Sequence, residues 1–254
     1  MLLVIDVGNT HTVIGLYEGE KLTGHWRVST DLKKTEDEFA MLFLNLLSQQ
    51  NKTSSEIKAI VISCVVPPLI WILKLMSKRY FNLKPIIVNS RINLNIKIQT
   101  DYPEEVGADR IVNAVAVCDI YQVPAIIIDY GTATTFCAIN KDKIYIGGAI
   151  APGIELSSNA LFEKTAKLPE VELIEPERSI GRNTIQSIQS GVFLGHIGLT
   201  KELIGNFKKE LKGKAMVIAT GGLAELIGNK CPMIDKIDSL LTLKGLKIIY
   251  KLNS

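Results

Sequence analysis

Two stretches decide the fold: Leu2-Leu3-Val4-Ile5-Asp6-Val7-Gly8-Asn9-Thr10-His11-Thr12-Val13 and its counterpart Ala125-Ile126-Ile127-Ile128-Asp129-Tyr130-Gly131-Thr132-Ala133-Thr134-Thr135-Phe136. Each is an apolar run that reads as a buried strand, followed by Asp, a spacer, Gly, small hydroxyl residues and a second strand. An Asp at the end of a buried strand is costly unless it is paired, hydrogen-bonded or metal-linked, and here it recurs at the same place in both halves. The Gly and hydroxyl residues build a tight turn rich in backbone N–H donors, the geometry that grips polyphosphate. The likeness continues past the turn: residues 14–17 match 137–139, and the corner Glu18-Gly19-Glu20 matches Lys141-Asp142-Lys143 before another strand-like run. Two hairpins of one layout predict two related domains.

Working outward, residues 22–28 supply a third strand, after which the period becomes that of a helix. Thr35 and Glu38 form a capping-box signature, and Phe39, Leu42, Phe43, Leu46 and Leu47 share one face of a helix ending near Gln50. Residues 57–64 read as a strand, Pro67-Pro68 opens a second helix, and residues 85–88 read as another strand. This alternation predicts parallel pairing. A helix beginning after Pro103 buries Ile111, Ala114, Val115 and Cys118 and closes a first domain, residues 1–121. The second domain, residues 122–254, continues as a strand through 144–150, breaks at Ala151-Pro152-Gly153, and carries a short helix over 156–162. Residues 168–178, rich in Pro and Glu, read as an exposed loop. A long helix over 184–207 bears Gly191, Gly195 and Gly198 along one side, which suits either tight packing inside the domain or a subunit contact. A strand at 215–219, the turn Thr220-Gly221-Gly222 and a helix start at 223–227 follow.

With 254 residues, 47% hydrophobic and 22% charged, the chain has enough apolar mass for two moderate cores. Its net charge of +3 is small and its Lys and Arg are scattered, which argues against nucleic acid as a partner. The apolar N-terminus meets Asp6 at once and reads as a first strand, with no signal peptide and no membrane span, so a cytoplasmic location is expected. Cys64, Cys118, Cys137 and Cys231 stand singly and read as reduced packing residues. His25 and His196 lack metal-ligand company, and His11 suits either a phosphate contact or polar filling of its turn.

Three loops, residues 6–10, 129–135 and 219–222, stand at the ends of predicted strands, where ligands of open α/β sheets collect. Neither a P-loop nor a dinucleotide fingerprint is present to explain their glycines. The layout resembles the actin, sugar-kinase and Hsp70 superfamily. That resemblance implies an α/β fold of two duplicated ribonuclease-H-like (actin-like ATPase) domains with a cleft between them. A further polar cluster, residues 105–111, sets Asp109 and Arg110 at the first turn of a helix. The helix dipole there favours an ionised Asp109, able to accept a proton from a substrate hydroxyl, while Arg110 suits a carboxylate held bidentately. A plain surface ion pair is the other reading of these two residues.

Taken in order, Asp6-Val7-Gly8-Asn9-Thr10, Gly107-Ala108-Asp109-Arg110, the Asp129 to Thr135 motif, Gly181-Arg182-Asn183-Thr184 and Gln189-Ser190-Gly191 resemble the type III pantothenate kinase family across essentially the whole chain. The resemblance implies an ATP-dependent phosphorylation of the terminal hydroxyl of pantothenate, the first committed step to coenzyme A, by a homodimer that uses a monovalent cation. Asp6, Val7, Gly8, Asn9, Thr10, His11, Thr12 and Val13 would bind ATP phosphates and help place Mg²⁺, and Thr132 would also contact ATP. Asp129 would hold K⁺ or NH₄⁺. Gly107, Ala108, Asp109 and Arg110 would embrace pantothenate with Asp109 as proton acceptor, and Thr184 would touch substrate. Thr100 stands where the family often has Tyr. A non-enzymatic ATP-binding transcriptional regulator and a kinase of a sugar or acetate are the other readings of this fold. Intact Asp6, Asp109, Arg110 and Asp129 favour the enzyme, and the Asp109–Arg110 pair suits a substrate bearing both a hydroxyl and a carboxylate.

Overall fold

β1 (Leu2–Val7) is buried along nearly its whole length, as a strand covered on both faces must be. It pairs antiparallel with β2 (His11–Glu18), which pairs antiparallel with β3 (Lys21–Ser29). The computed structural model describes residues 1–254. After β3 the chain enters α1 (Glu36–Gln49), whose capping box closes with Thr35 N–H donating to Glu38 Oε2 at 2.8 Å. β4 (Ala59–Cys64) returns parallel to β1, and α2 (Pro67–Phe81) starts on two prolines whose missing N–H groups cost nothing at a helix N-terminus. β5 (Ile86–Ile87) completes a sheet of order β3-β2-β1-β4-β5. One face, carrying Leu3, Ile5, Val7, Ile60 and Ile62, packs with Phe39, Phe43, Leu69 and Leu73 of α1 and α2.

A two-residue strand, β6 (Lys97–Ile98), and a single 3₁₀ turn, Pro103–Glu105, precede α3 (Ala108–Ile120). β7 (Ala125–Tyr130), β8 (Ala133–Ile139) and β9 (Ile144–Pro152) then repeat the opening meander. α4 (Ile154–Lys164) and the long α5 (Thr184–Glu210) lead to β10 (Met216–Thr220), which pairs parallel with β7. α6 (Ala224–Gly228) and β11 (Lys236–Ile237) follow, and the strands from β7 onward take the order β11-β10-β7-β8-β9. The two sheets share one topology: a three-stranded antiparallel meander whose first strand also takes a parallel neighbour.

The chain divides into Met1–Tyr121 with Leu241–Ser254, and Gln122–Leu240. The expected second domain of residues 122–254 therefore ends early. α7 (Leu241–Asn253) belongs to the first unit, where it packs on α3, β1 and β4. The reason is steric and hydrophobic. Leu241, Leu246 and Ile249 are fully buried, and a Cβ at Gly245 would collide with the Val112 carbonyl, so the two helix backbones meet at that point.

The 168–178 segment is neither helix nor strand, but α5 ties it down. Gln189 Nε2 donates to Glu172 O at 3.0 Å within it, and Ser190 Oγ donates to Ser179 O, just past its end, at 2.6 Å. The glycines of α5 do not serve tight packing within the unit, since a Cβ at Gly191, Gly195 or Gly198 would meet nothing within 4 Å. The four cysteines are buried thiols, and burial pushes the Cys64 thiol up to about 11. No helix is long and apolar enough to cross a membrane.

Candidate active site

In the first unit the turn between β1 and β2 is closed by Gly8 N–H donating to His11 O at 3.0 Å. Asn9 and Thr10 are exposed at its tip, whereas Val7 and Thr12 are buried, so the predicted phosphate-binding stretch divides into a solvent-facing tip and an inward-facing frame. Arg27 Nη2 lies 2.9 Å from His11 Nδ1, and a guanidinium has no acceptor, so that ring nitrogen offers its lone pair. His11 thus holds a cation on the outer strand beside the turn.

Asp6 is half-buried, with Val13 beside it on β2 and Ser63 on β4. Cross-strand partners in register share a sheet face, so Ser63 stands beside Asp6. The Ser63 hydroxyl is fully buried and without a hydrogen-bond partner, and Asp6 Oδ1 is a buried oxygen as well. No group of three or more His, Cys, Asp or Glu side chains is placed to hold a metal ion by itself. A single carboxylate fits Mg²⁺ only when substrate phosphates fill most of the ion's octahedron, which is how nucleotide-bound Mg²⁺ is held. The donor set here agrees with that arrangement.

The second unit repeats the pattern. Asp129 pairs in register with Thr135 on β8 and with the buried Thr220 on β10. Gly221 follows at φ +94, and a Cβ there would stand 2.5 Å from Asp129 Oδ1, so the turn admits only glycine. A Cβ at Gly131 would approach the same oxygen at 3.7 Å. Asp129 therefore sits in a glycine-lined cradle, which suits an oxygen-ligated cation without a cage of side chains. Thr132 is exposed and its carbonyl accepts from Gly153 N–H at 3.1 Å, tying the turn to the start of α4. Two buried hydrogen bonds fasten α5 to this hairpin: Thr134 Oγ1 to His196 Nε2 at 2.9 Å and Tyr130 Oη to Thr200 Oγ1 at 3.2 Å. Burial pushes the His196 pKa down and so keeps the ring neutral.

Asp109 is the second residue of α3 and Gly107 is its N-cap. Asp109 Oδ1 accepts from Arg110 N–H at 2.8 Å, and a Cβ at Gly107 would lie 2.5 Å from the same oxygen. The sequence led us to expect that the helix terminus would hold this carboxyl ionised, but burial outweighs it. Desolvation pushes the Asp109 pKa up, while the Arg110 backbone N–H and the Arg110 charge pull it down by less. The Arg110 guanidinium reaches back to Glu105 O at 3.4 Å, while Ala108 is buried in the helix start. Asp6 to Val13 and Gly107 to Arg110 all belong to the first unit; Asp129, Thr132 and Thr184 belong to the second. Thr184 is the exposed first residue of α5, set by the Asn183 N-cap, and lines a groove of about 630 Å³ with Leu161, Ile188, Gly191, Gly195 and Leu199.

A family model described as type III pantothenate kinase matches residues 2–206. The chain belongs to the type III pantothenate kinase family. The type III pantothenate kinase of Halalkalibacterium halodurans is 50% identical over the whole of both chains, and that of Listeria monocytogenes is 47% identical over all of this chain and 98% of the relative. That of Geobacillus kaustophilus is 48% identical with the same coverage. Among solved structures, a putative Baf family transcriptional activator from Campylobacter jejuni superposes with a TM-score of 0.61 at 20% identity, covering 99% of this chain and 98% of that one. MreB5 of Spiroplasma citri bound to AMPPNP gives 0.56 at 12% identity over 98% and 96%. At such identities these likenesses show the fold alone, and it is the actin-like ATPase fold expected from the duplicated hairpin. The 219–222 loop was legible as a ligand loop, which covers Thr220 and Gly221, but no motif pointed to Ser63 or to a contact from Gly153. The hydroxyls and glycines here matter through strand register and backbone approach, and the only available signal was that each lies at or just past a strand end.

Proposed function

We propose that the chain transfers the terminal phosphoryl group of ATP to the terminal hydroxyl of pantothenate, forming phosphopantothenate at the first step of coenzyme A biosynthesis. The observation that carries the reading is the start of α3, where a partly desolvated carboxyl, Asp109, adjoins a guanidinium, Arg110, on a glycine-capped helix. Pantothenate carries both a hydroxyl to be deprotonated and a carboxylate to be clamped, and this pair meets both needs. A regulator has no chemical use for such a pair, and nothing in the structure favours that reading.

Phosphoryl transfer passes through a loose transition state, so the protein contributes chiefly by positioning reactants and neutralising charge. Backbone N–H groups at the tip of the β1–β2 turn would hold ATP phosphates, and Thr132 would contact the nucleotide from the β7–β8 turn. Arg110 would hold the pantothenate carboxylate while Asp109 aligns the attacking hydroxyl and takes its proton. Asp6 would hold Mg²⁺ together with the phosphates, and Asp129 in its glycine cradle would hold K⁺ or NH₄⁺. When bound, these cations supply charge neutralisation on the phosphoryl oxygens. Thr184 would touch substrate from the groove along α5, and that groove, with its glycine stripe, would be the face through which two copies form a homodimer.

The test is phosphorylation of pantothenate by purified protein with ATP and Mg²⁺, comparing K⁺ and NH₄⁺ with Na⁺ and including Asp109→Asn. We expect product with K⁺ or NH₄⁺ and its loss in the variant. ATP binding without product under any ion would overturn the assignment of the acceptor. Equal rates in Na⁺ would remove the cation role from Asp129.

A further inference from the structure

Thr30 lies just past β3, outside every motif that marks the site, yet three hydrogen bonds join it to the β1–β2 turn. Its N–H donates to Thr10 O at 2.9 Å, its hydroxyl donates to Gly8 O at 2.8 Å, and its Oγ1 lies 2.9 Å from Thr12 Oγ1. A hydroxyl has one proton to give. Thr30 gives its own to Gly8, so Thr12, which is fully buried, must donate to Thr30. The result is a directed relay, Thr12 to Thr30 to the Gly8 carbonyl, inside the hairpin.

The direction matters because the Gly8–Asn9 peptide is trans, and the N–H of a trans peptide points opposite to its carbonyl. With the Gly8 carbonyl pinned toward Thr30, the Asn9 N–H is turned away from the hairpin interior, at a residue exposed on the tip of the turn. Glycine imposes little resistance to rotation of that peptide, so a fixed external partner is what sets its orientation. We propose that Thr30 is a positioning residue for the phosphoryl donor: it locks the Gly8–Asn9 peptide so that the Asn9 N–H faces a phosphate oxygen. This rests on the reading that the β1–β2 turn binds the phosphates of ATP.

The experiment uses the full chain with Thr30→Val, which keeps the shape and removes the hydroxyl, and Thr30→Ser, which keeps the hydroxyl. Asp6→Asn serves as an independent probe of the turn. Readouts are kcat, KM for each substrate, affinities for Mg²⁺-ATP and for adenosine by calorimetry, and the melting temperature. We expect Thr30→Val to weaken Mg²⁺-ATP about tenfold, the scale of one misdirected charge-assisted hydrogen bond. Adenosine affinity and KM for pantothenate should stay within about twofold, and Thr30→Ser should restore most of the ATP affinity. If Asp6→Asn weakens ATP while Thr30→Val does not, the role of Thr30 is overturned and the turn keeps its phosphate. If neither does, the phosphate reading of the turn fails and takes the inference with it. Equal losses for ATP, adenosine and pantothenate, unrescued by Ser, would make Thr30 a stability residue only. Should Thr30→Val not fold, Thr30→Ala takes its place in the same comparison with Thr30→Ser.

Discussion

At the scale of single residues, Asp109 shows what a motif reveals and what it hides. Its place at a helix start beside an arginine was legible, because Gly-Ala-Asp-Arg is a local pattern. The direction of its titration was not, because burial depends on packing that the local pattern does not carry. Asp109→Asn removes the proton acceptor, and we expect turnover to fall roughly 10²-fold or more with modest change in ATP affinity, measured by steady-state kinetics. In the native protein kcat/KM should fall on acidification through a pKa above the ordinary aspartate value, and that limb should be missing from the residual activity of the variant. Stability should move the other way. A carboxyl whose folded pKa is raised favours the folded state below its unfolded pKa of about 3.9, and that benefit is lost as pH rises through the folded value. Asp109→Asn, which cannot ionise, should therefore melt higher than wild type at neutral pH, with the gain vanishing below the usual carboxylate range. A variant that melts lower at neutral pH would mean that the bonds to the ionised carboxylate outweigh its desolvation.

Among the elements, those that advertise themselves locally were readable and those defined by their destination were not. Thr35 and Glu38 cap α1, and Pro67-Pro68 opens α2, because capping and proline chemistry operate within a few residues. α5 was visible as a helix, but its Gln189 and Ser190 gave no hint that they bind the carbonyls of a distant strap. α7 is the clearest case. Nothing in its sequence says which unit it will cover, because either sheet has an apolar face; the contact at Gly245 decides the matter. Gly245→Val would drive a branched side chain into the Val112 carbonyl of α3. Overpacking of this kind typically costs about 1–3 kcal/mol, more where backbone must move. We expect Gly245→Val to lower the melting temperature by several degrees, while Gly213→Ala, in a loop with open space around it but at φ +158, serves as a mild comparison.

On the scale of the molecule, duplication explains why one short reading went so far. Asp6 and Ser63 in one sheet stand in the same register as Asp129 and Thr220 in the other, so a hairpin recognised twice in sequence fixed both sheets' central strands. What repetition cannot reveal is a surface that belongs to only one copy. α4 and α5 leave Leu156, Phe162, Ile185 and Leu194 exposed, and the groove they share is lined by Leu161, Ile188, Val192 and Leu199 beside a glycine stripe that projects no side chain. Water against so much apolar surface is unfavourable by about 25 cal/mol per Å², and a second copy would relieve it. The homodimer proposed above makes a specific demand of Gly195. A Cβ there meets nothing within 4 Å and Gly195 is exposed on the groove, so an Arg can extend into solvent and the fold should survive with a nearly unchanged melting transition when corrected for concentration. Its charge and bulk would instead fall on the partner. Sedimentation at micromolar concentration should show a dimer for wild type and a monomer for Gly195→Arg. Because Thr184 lines the same groove, the monomer should also lose affinity for pantothenate more than for ATP. A wild-type monomer would overturn the homodimer, and a Gly195→Arg dimer of undiminished stability would move the interface off α5.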